Sequence, residues 1–489
     1  MIYLLSIVSL MIAVLYTLYA ISQDAVENTR ISENALLPGL VEENFRDGQM
    51  VFHYIKKLKK EEGNRRQLRK VVYDELKRLQ IETYKHGFRS HPSSFLRTNS
   101  SAGSGENIYG IVRSFRAAPG ESILVVVRID EAHISSIATA LTLANYAKQK
   151  LYWARDVMFL FVDGEKLATE AWLAAYHGYD HPFIDIDELD TRGGPIIGAM
   201  VLDLVGNGNV FNHINIEYGM VNGRLPNLDL VNLFILLVEK FGTSPTLHNV
   251  AHHPSLARQH YDYGSALLTF LRSVFSQSFI EYEGLHSLIG GYGVNAVTLQ
   301  ARQTSVNGRR NYNEENGMGI DTVEMKFHQS YFLYFLTHPH KFISVAYYMP
   351  IIGLLILPIV LWSLRDWVEM DHIDTSPLLS ISVTHLLAIF SYALQVFLYS
   401  LPQSSTKWIS SVSLAIPLLP IYLFSRIESE AAYFLMRFIV GLEAAVFIGA
   451  LSLLNFSLSL SLAVILVPFL FFISVRYQYA NDRLESFGE

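Results

Sequence analysis

Residues 122–133 read SILVVVRIDEAH. An unbroken apolar run of this length, rich in β-branched residues, predicts a buried strand. The run then meets charge, beginning at Arg128. Outward from it the chain alternates. NIYGIVRSF (107–115), DVMFLFVDG (156–164), PIIGAMVLDLVG (195–206), HINIEYG (213–219) and VNAVTLQ (294–300) read as further strands. ISSIATALTLANYAKQ (134–149), LATEAWLAAYHG (167–178), LDLVNLFILLVEKFG (228–242) and GSALLTFLRSVFSQ (264–277) read as helices. Strands alternating with helices predict an α/β domain with a mostly parallel sheet covered on both faces. Upstream, residues 51–84 show helical apolar spacing with a charged outer face. The Ser- and Gly-rich stretch 90–107 reads as a loop and holds the sequon Asn99-Ser100-Ser101, a glycosylation acceptor if lumenal.

The rest of the chain is apolar. About half of the 489 residues are hydrophobic, and residues 342–475 are mostly so. Residues 1–22, MIYLLSIVSLMIAVLYTLYAIS, are long enough to span a bilayer and lack the basic n-region and cleavage site of a signal peptide. Further spans are expected at 343–364, 378–400, 408–425, 431–453 and 457–475, the last two meeting at a turn around Asn455. This divides the chain into an N-terminal transmembrane helix (1–23), a large polar domain (24–341), a helical bundle (342–476) and a tail (477–489). Arginines 365, 426, 476 and 483 fall at ends that are cytoplasmic if the N-terminus is, with Lys407 against the trend. The large domain is then lumenal by the positive-inside rule. Glu443 lies inside a span and is expected to face protein or a polar cavity. A net charge of −7 without a basic stripe excludes a nucleic-acid partner. The chain has no cysteine, which excludes disulfides, thiolate zinc ligands and a cysteine nucleophile of its own.

The charges at the strand ends follow an order. RID closes the first strand, VDGE follows the next, VLDLVG carries Asp203, and GLHSLIGGYG carries His286. This order resembles the two-zinc aminopeptidases, whose metal ligands sit at strand ends in H-x-D, E-E, D-M-x-G and a late histidine segment. The departures are chemical. Arg128 stands at the first histidine, Val162 at the general base, and no Asp lies in residues 133–144 for a bridging ligand. Arg128 is therefore expected to replace a zinc ion by forking onto Asp203, a structural pair. Asp130, Asp163 or Glu165, and His286 form a donor set for a single zinc ion, or are ordinary polar residues at strand ends.

Longer stretches carry a second resemblance: ISENALLPGLVEE (31–43), LYWARDVMFLFVDGEKLATEAWLAAYH (151–177), NGRLPNLDLVNLF (222–234) and FHQSYFLYFLTHPHKFISVAYYMP (327–350). They resemble the GPI-anchor attachment subunit of the GPI transamidase, whose lumenal domain is zinc-aminopeptidase-like. The resemblance implies a non-catalytic subunit in the endoplasmic reticulum membrane. It would bind the GPI lipid and present it to the C-terminus of a cleaved precursor protein. Its implied partners are the other subunits, including a caspase-like cysteine subunit. The competing readings are a membrane-anchored zinc aminopeptidase and a metal-dependent amide-forming component using Asp130, Glu165 and Tyr292. The resemblance places the GPI head at Ser32, His328, Gln329 and Ser330, with Arg30 as an added phosphate partner. No cofactor is required; a magnesium ion could bridge the GPI phosphate to the Gln329 amide oxygen. Asp229, following Pro226 and Asn227, is expected at a helix start, in a capping and packing role, with a protein-facing surface as the alternative.

Overall fold

The structure is a computed structural model describing residues 2–29, 47–61, 63–90, 104–115, 120–151, 153–164, 166–181, 184–205, 213–240, 243–251, 261–279, 284–302, 333–370, 372–399 and 430–471. Arg30, Ser32, Asn99, Glu165, His328, Gln329 and Ser330 lie outside these residues, as does the expected span 408–425. The chain divides into two compact units, Tyr19–Tyr347 and Met1–Leu18 with Tyr348–Glu489.

The strands of the larger unit are β1 (Glu27–Asn28), β2 (Glu82–Ser90), β3 (Ser104–Val112), β4 (Ser122–Arg128), β5 (Asp156–Val162), β6 (Ile184–Ile186), β7 (Ile196–Val205), β8 (His213–Glu217), β9 (Ser244–Leu247), β10 (Val250–Ala251), β11 (Asn295–Arg302), β12 (Tyr334–His338) and β13 (Lys341–Ser344). Ten of them form one sheet in the order β10-β9-β8-β11-β7-β4-β5-β3-β2-β6. The central four, β11-β7-β4-β5, run parallel, as their helical crossovers require. The margins are largely antiparallel, so the sheet is mixed rather than mostly parallel. β3 pairs antiparallel with both of its neighbours, β2 and β5.

β4 shows why the opening stretch decides the fold. Ile123, Val125 and Val127 pack on one face with Leu68, Val72, Ile137, Leu141 and Phe234. Leu124 and Val126 pack on the other with Trp172, Leu285 and Ile289. Burying each such aliphatic side chain contributes roughly 1.5–3 kcal/mol, so a strand apolar at every position is stable only between two layers.

Upstream of the sheet, the long helical stretch is broken. Helices Gly48–Lys59 and Arg65–Arg78 are separated by Gly63, whose φ of 98° needs glycine, and by Asn64. The Asn64 side chain caps the second helix by accepting from the backbone N–H groups of Arg66 and Gln67.

The helix Leu228–Lys240 is a core helix. Leu230, Val231, Leu233, Phe234 and Ile235 are all buried, which fits the packing role of this stretch rather than a protein-facing surface. Its cap is Asn227, which accepts from the Asp229 backbone N–H at 2.9 Å while its own N–H reaches Asn295 at 3.0 Å. Asn227→Ala is expected to cost about 1 kcal/mol, read as a lower unfolding temperature of the full chain; an unchanged midpoint would contradict the cap.

A second, three-stranded sheet has the order β1-β13-β12. Phe335 meets Phe270 of helix Tyr263–Phe279 edge-on at 5.4 Å, and Tyr334 donates to the Pro226 carbonyl at 2.8 Å. This sheet holds residues 27–28 and 334–344, so its last strand runs past residue 341 into the start of the apolar stretch.

In the other unit, among the described residues, four helices are long and apolar enough to cross a membrane: Ile2–Ala20, Val345–Glu369, Ser376–Phe397 and Ala431–Leu454. A shorter apolar helix, Phe456–Phe471, follows the break at Asn455, whose side chain accepts from the Leu458 N–H at 3.0 Å.

Candidate functional site

The carboxyl ends of the central strands bring Val162, Arg128, Asp203 and Gln300 side by side. Arg128 is paired in register with Val162, and Asp203 with Gln300. Val127 and Leu202, one residue earlier, link the two pairs. This strand-end edge is where parallel α/β sheets place their sites.

The chain leaves β4 through Asp130, whose side chain caps the short turn Glu131–His133 by accepting from the His133 N–H at 3.0 Å. That turn folds His133 back over the strand ends. Its Nδ1 lies 2.5 Å from Asp130 Oδ1 and its Nε2 lies 2.6 Å from Asp203 Oδ1. The other Asp203 oxygen accepts from Gln300 Nε2 at 3.1 Å. Ser136, in the helix that follows, exchanges hydrogen bonds with the backbone of Leu204 and fixes that helix against β7.

A neutral imidazole has one N–H, but here both ring nitrogens face carboxylates, so the ring is doubly protonated. Burial alone would lower the His133 pKa; hydrogen bonds and charges from Asp130 and Asp203 outweigh it and raise it to about 9. Burial likewise tends to raise both carboxyls, but the bonds and charge of His133, aided by Gln300 at Asp203, hold them below their ordinary value. Arg128 adds its charge to both.

The expected fork of Arg128 onto Asp203 is thus corrected. The Asp203 carboxylate takes its hydrogen bonds from His133 and Gln300, and Arg128 acts through its field. The turn capped by Asp130 delivers a second cation closer to the carboxylate. Sequence reading missed His133, although the D-x-x-H spacing straight after a buried strand was its signal.

The other described candidates point elsewhere. Asp163 pairs with Arg69 at 2.5 Å and accepts from the Glu106 N–H at 3.3 Å. His286 is fully buried, bonded to Thr298 through Nδ1 at 2.7 Å, and lowered by burial to about 4, which makes it a neutral core histidine. Val162 is fully buried in the core. Tyr292 donates to Glu170 at 3.1 Å and stacks on His177.

Among the described residues no group of three or more His, Asp and Glu side chains could hold a metal ion. The donors do not fit a two-zinc centre. A zinc-bound histidine offers a lone pair, whereas His133 presents N–H to both carboxylates, and Arg128 stands at a ligand position. Asp130 and Asp203 are held together by a protein cation.

A model of the family described as "Gaa1-like, GPI transamidase component" matches residues 104–488. GPI transamidase component GAA1 of Saccharomyces cerevisiae is 25% identical over 456 residues, covering 91% of this chain and 71% of that protein. Its Schizosaccharomyces pombe counterpart is 27% identical over 393 residues, 78% of this chain and 65% of that one. Among solved structures, a Zn-dependent exopeptidase from Parabacteroides distasonis aligns at a TM-score of 0.36 and 11% identity, over 58% of this chain and 100% of its own. A glutaminyl cyclase from Tannerella forsythia aligns at 0.37 and 11%, over 58% and 99%. With a match over most of its length, this chain belongs to the Gaa1-like family of GPI transamidase components.

Proposed function

We propose that the chain is a non-catalytic subunit of the transamidase that binds the GPI lipid and presents it to the C-terminus of a cleaved precursor. The observation that carries this reading is the His133 cross-link between Asp130 and Asp203. It takes up two carboxylates that a metal-dependent hydrolase would need free, beside a buried valine where the general base would stand. In this reading the nucleophile belongs to another chain, the cysteine subunit that the resemblance implies, and this chain, which has no cysteine, leaves that role to it. The larger unit is lumenal in the endoplasmic reticulum, with Asn99 as its glycosylation acceptor.

The GPI head is read as meeting Ser32, His328, Gln329 and Ser330, with Arg30 beside them and a magnesium ion between the phosphate and Gln329. All five lie outside the described residues. Support comes from their flanks. Asn28 of β1 pairs with Lys341 of β13, and β13 pairs with β12, whose first residue is Tyr334. Asn28, ahead of Arg30 and Ser32, and Tyr334, after His328, Gln329 and Ser330, therefore belong to one small sheet.

Replacing Gln329 and Ser330 together by alanine is expected to leave the complex assembled and to lower GPI attachment to a reporter precursor. Normal attachment in that variant would remove this site. The same purified complex should show no aminopeptidase activity on adding zinc, beyond that of an Asp203→Asn variant. Zinc-dependent activity lost in Asp203→Asn would favour the peptidase reading.

A further inference from the structure

Among the described residues, two ionisable pairs link one apolar helix to another, and their surroundings differ. Asp366 and Arg437 meet at 3.0 Å inside the bundle, with side chains 3% and 14% exposed. His385 and Glu443 stand 3.6 Å apart on its outside, with side chains 56% and 48% exposed. We infer that the outer face shared by helices Ser376–Tyr399 and Glu430–Leu454 docks a transmembrane helix of another subunit that brings a hydrogen-bond donor to Glu443.

Glu443 occupies the middle of a 25-residue helix. At 1.5 Å per residue it lies about 20 Å from the helix start, at hydrocarbon depth for a span of this length. Intramembrane carboxylates face protein or a polar cavity, because acyl chains offer no donors. This one faces outward. His385 does not satisfy it. Its Nδ1 lies 2.8 Å from the Ile381 carbonyl and is engaged within its own helix. At 3.6 Å its Nε2 is beyond hydrogen-bond distance. Among the described residues Glu443 has no hydrogen-bond partner.

The rim is apolar and open. Ile389, Val446 and Phe447 are each more than half exposed, and a Cβ built on Gly449 would meet nothing within 4 Å. A polar acceptor inside an apolar rim fits an apolar helix that carries one Ser, Thr, Asn, Gln, Lys or Arg, since such groups hydrogen-bond across helices in membranes. Acyl chains would fill the rim and leave the carboxylate unmet.

The inference rests on the reading of the chain as a subunit, and its test separates the two. In the intact complex in membranes, a photoreactive phenylalanine analogue replaces Phe447 or Ile389, one at a time. The expected product is a crosslinked peptide from an apolar span of a co-purifying subunit, with a donor residue in that span. Glu443→Leu should lower recovery of that subunit about fivefold, the scale of one interhelical hydrogen bond, and Glu443→Gln should lower it less. Crosslinks only to lipid, to a second copy or to this chain's own residues, with co-purification intact, would overturn the docking face alone. A chain that brings down no other subunit would overturn the subunit reading and the face together. If Glu443→Leu fails to accumulate, the crosslinks on the unsubstituted helix still decide.

Discussion

His133→Leu should lower the stability of the folded chain by roughly 3–5 kcal/mol, the cost of leaving a buried charge without its partner. The side chain is 6% exposed and binds two carboxylates at once. Without it Asp130 and Asp203 face each other across the ends of β4 and β7, with Gln300 still bonded to Asp203 and the charge of Arg128 acting on both. Arg128→Ala removes a charge beside Asp203 and leaves the hydrogen bonds from His133 and Gln300 to that carboxylate in place. A combined Asp130→Asn, His133→Leu and Asp203→Leu variant should recover most of the loss. Apolar replacement of a whole buried ion cluster is often neutral or stabilising, and Asn keeps the cap on the following turn. Thermal unfolding of the purified full chain measures all three. If His133→Leu melts with the parent, the cross-link is not what holds the strand ends.

The same cluster gives a pH profile. His133 is raised in the folded state to about 9. Its contribution is therefore complete below about 6.5, the unfolded value, and is lost as pH rises through about 9. Asp130 and Asp203 are lowered, so their contribution is present above about 3.9 and is lost as pH falls through their folded values. The difference in stability between the parent and His133→Leu should be largest between about pH 4 and 6.5 and shrink on both sides. A difference that grew from pH 7 to pH 10 would reverse the assignment of charge.

The parallel core was legible because β4, β5 and β7 are continuous apolar runs with helices between them. The strand-end positions of Arg128, Val162 and Asp203 were legible from spacing alone. β2 was not. ETYKHGFRS is polar at many positions, follows a helix closely, and forms because β3 lies beside it. The β12–β13 hairpin was hidden for the opposite reason. Its apolar residues lead straight into the helix Val345–Glu369 and read as the approach to a membrane span. The two residues of β1 carry no signal of their own and are strand only through β13. His133 shows the limit for a site. Its i,i+3 relation to Asp130 is local, whereas its bond to Asp203 depends on the register of β4 against β7, 70 residues along the chain.

Arg437→Leu should destabilise the helical unit by a similar roughly 3–5 kcal/mol, because it strands Asp366. Arg437 Nε lies 3.0 Å from Asp366 Oδ2, and that carboxylate is 3% exposed. The guanidinium is also 5.6 Å from the Trp362 ring and 5.4 Å from the Tyr433 ring, close enough for attraction to both faces. Leucine removes the ion pair and both ring contacts and leaves an ionised carboxylate, or a proton taken up to neutralise it, among Ile359, Trp362 and Val440. The helices Val345–Glu369 and Glu430–Leu454 also approach closely here, since a Cβ on Gly441 would collide with the Ser363 hydroxyl. There is little room for the stranded carboxylate to move toward a new partner. Asp366→Leu with Arg437→Leu should restore much of the loss, whereas Arg437→Lys should restore less, because an ammonium keeps the charge but not the planar stacking. The measurement is the thermal unfolding midpoint of the detergent-solubilised chain. Equal midpoints for the parent and Arg437→Leu would show that this pair does not hold the two helices together.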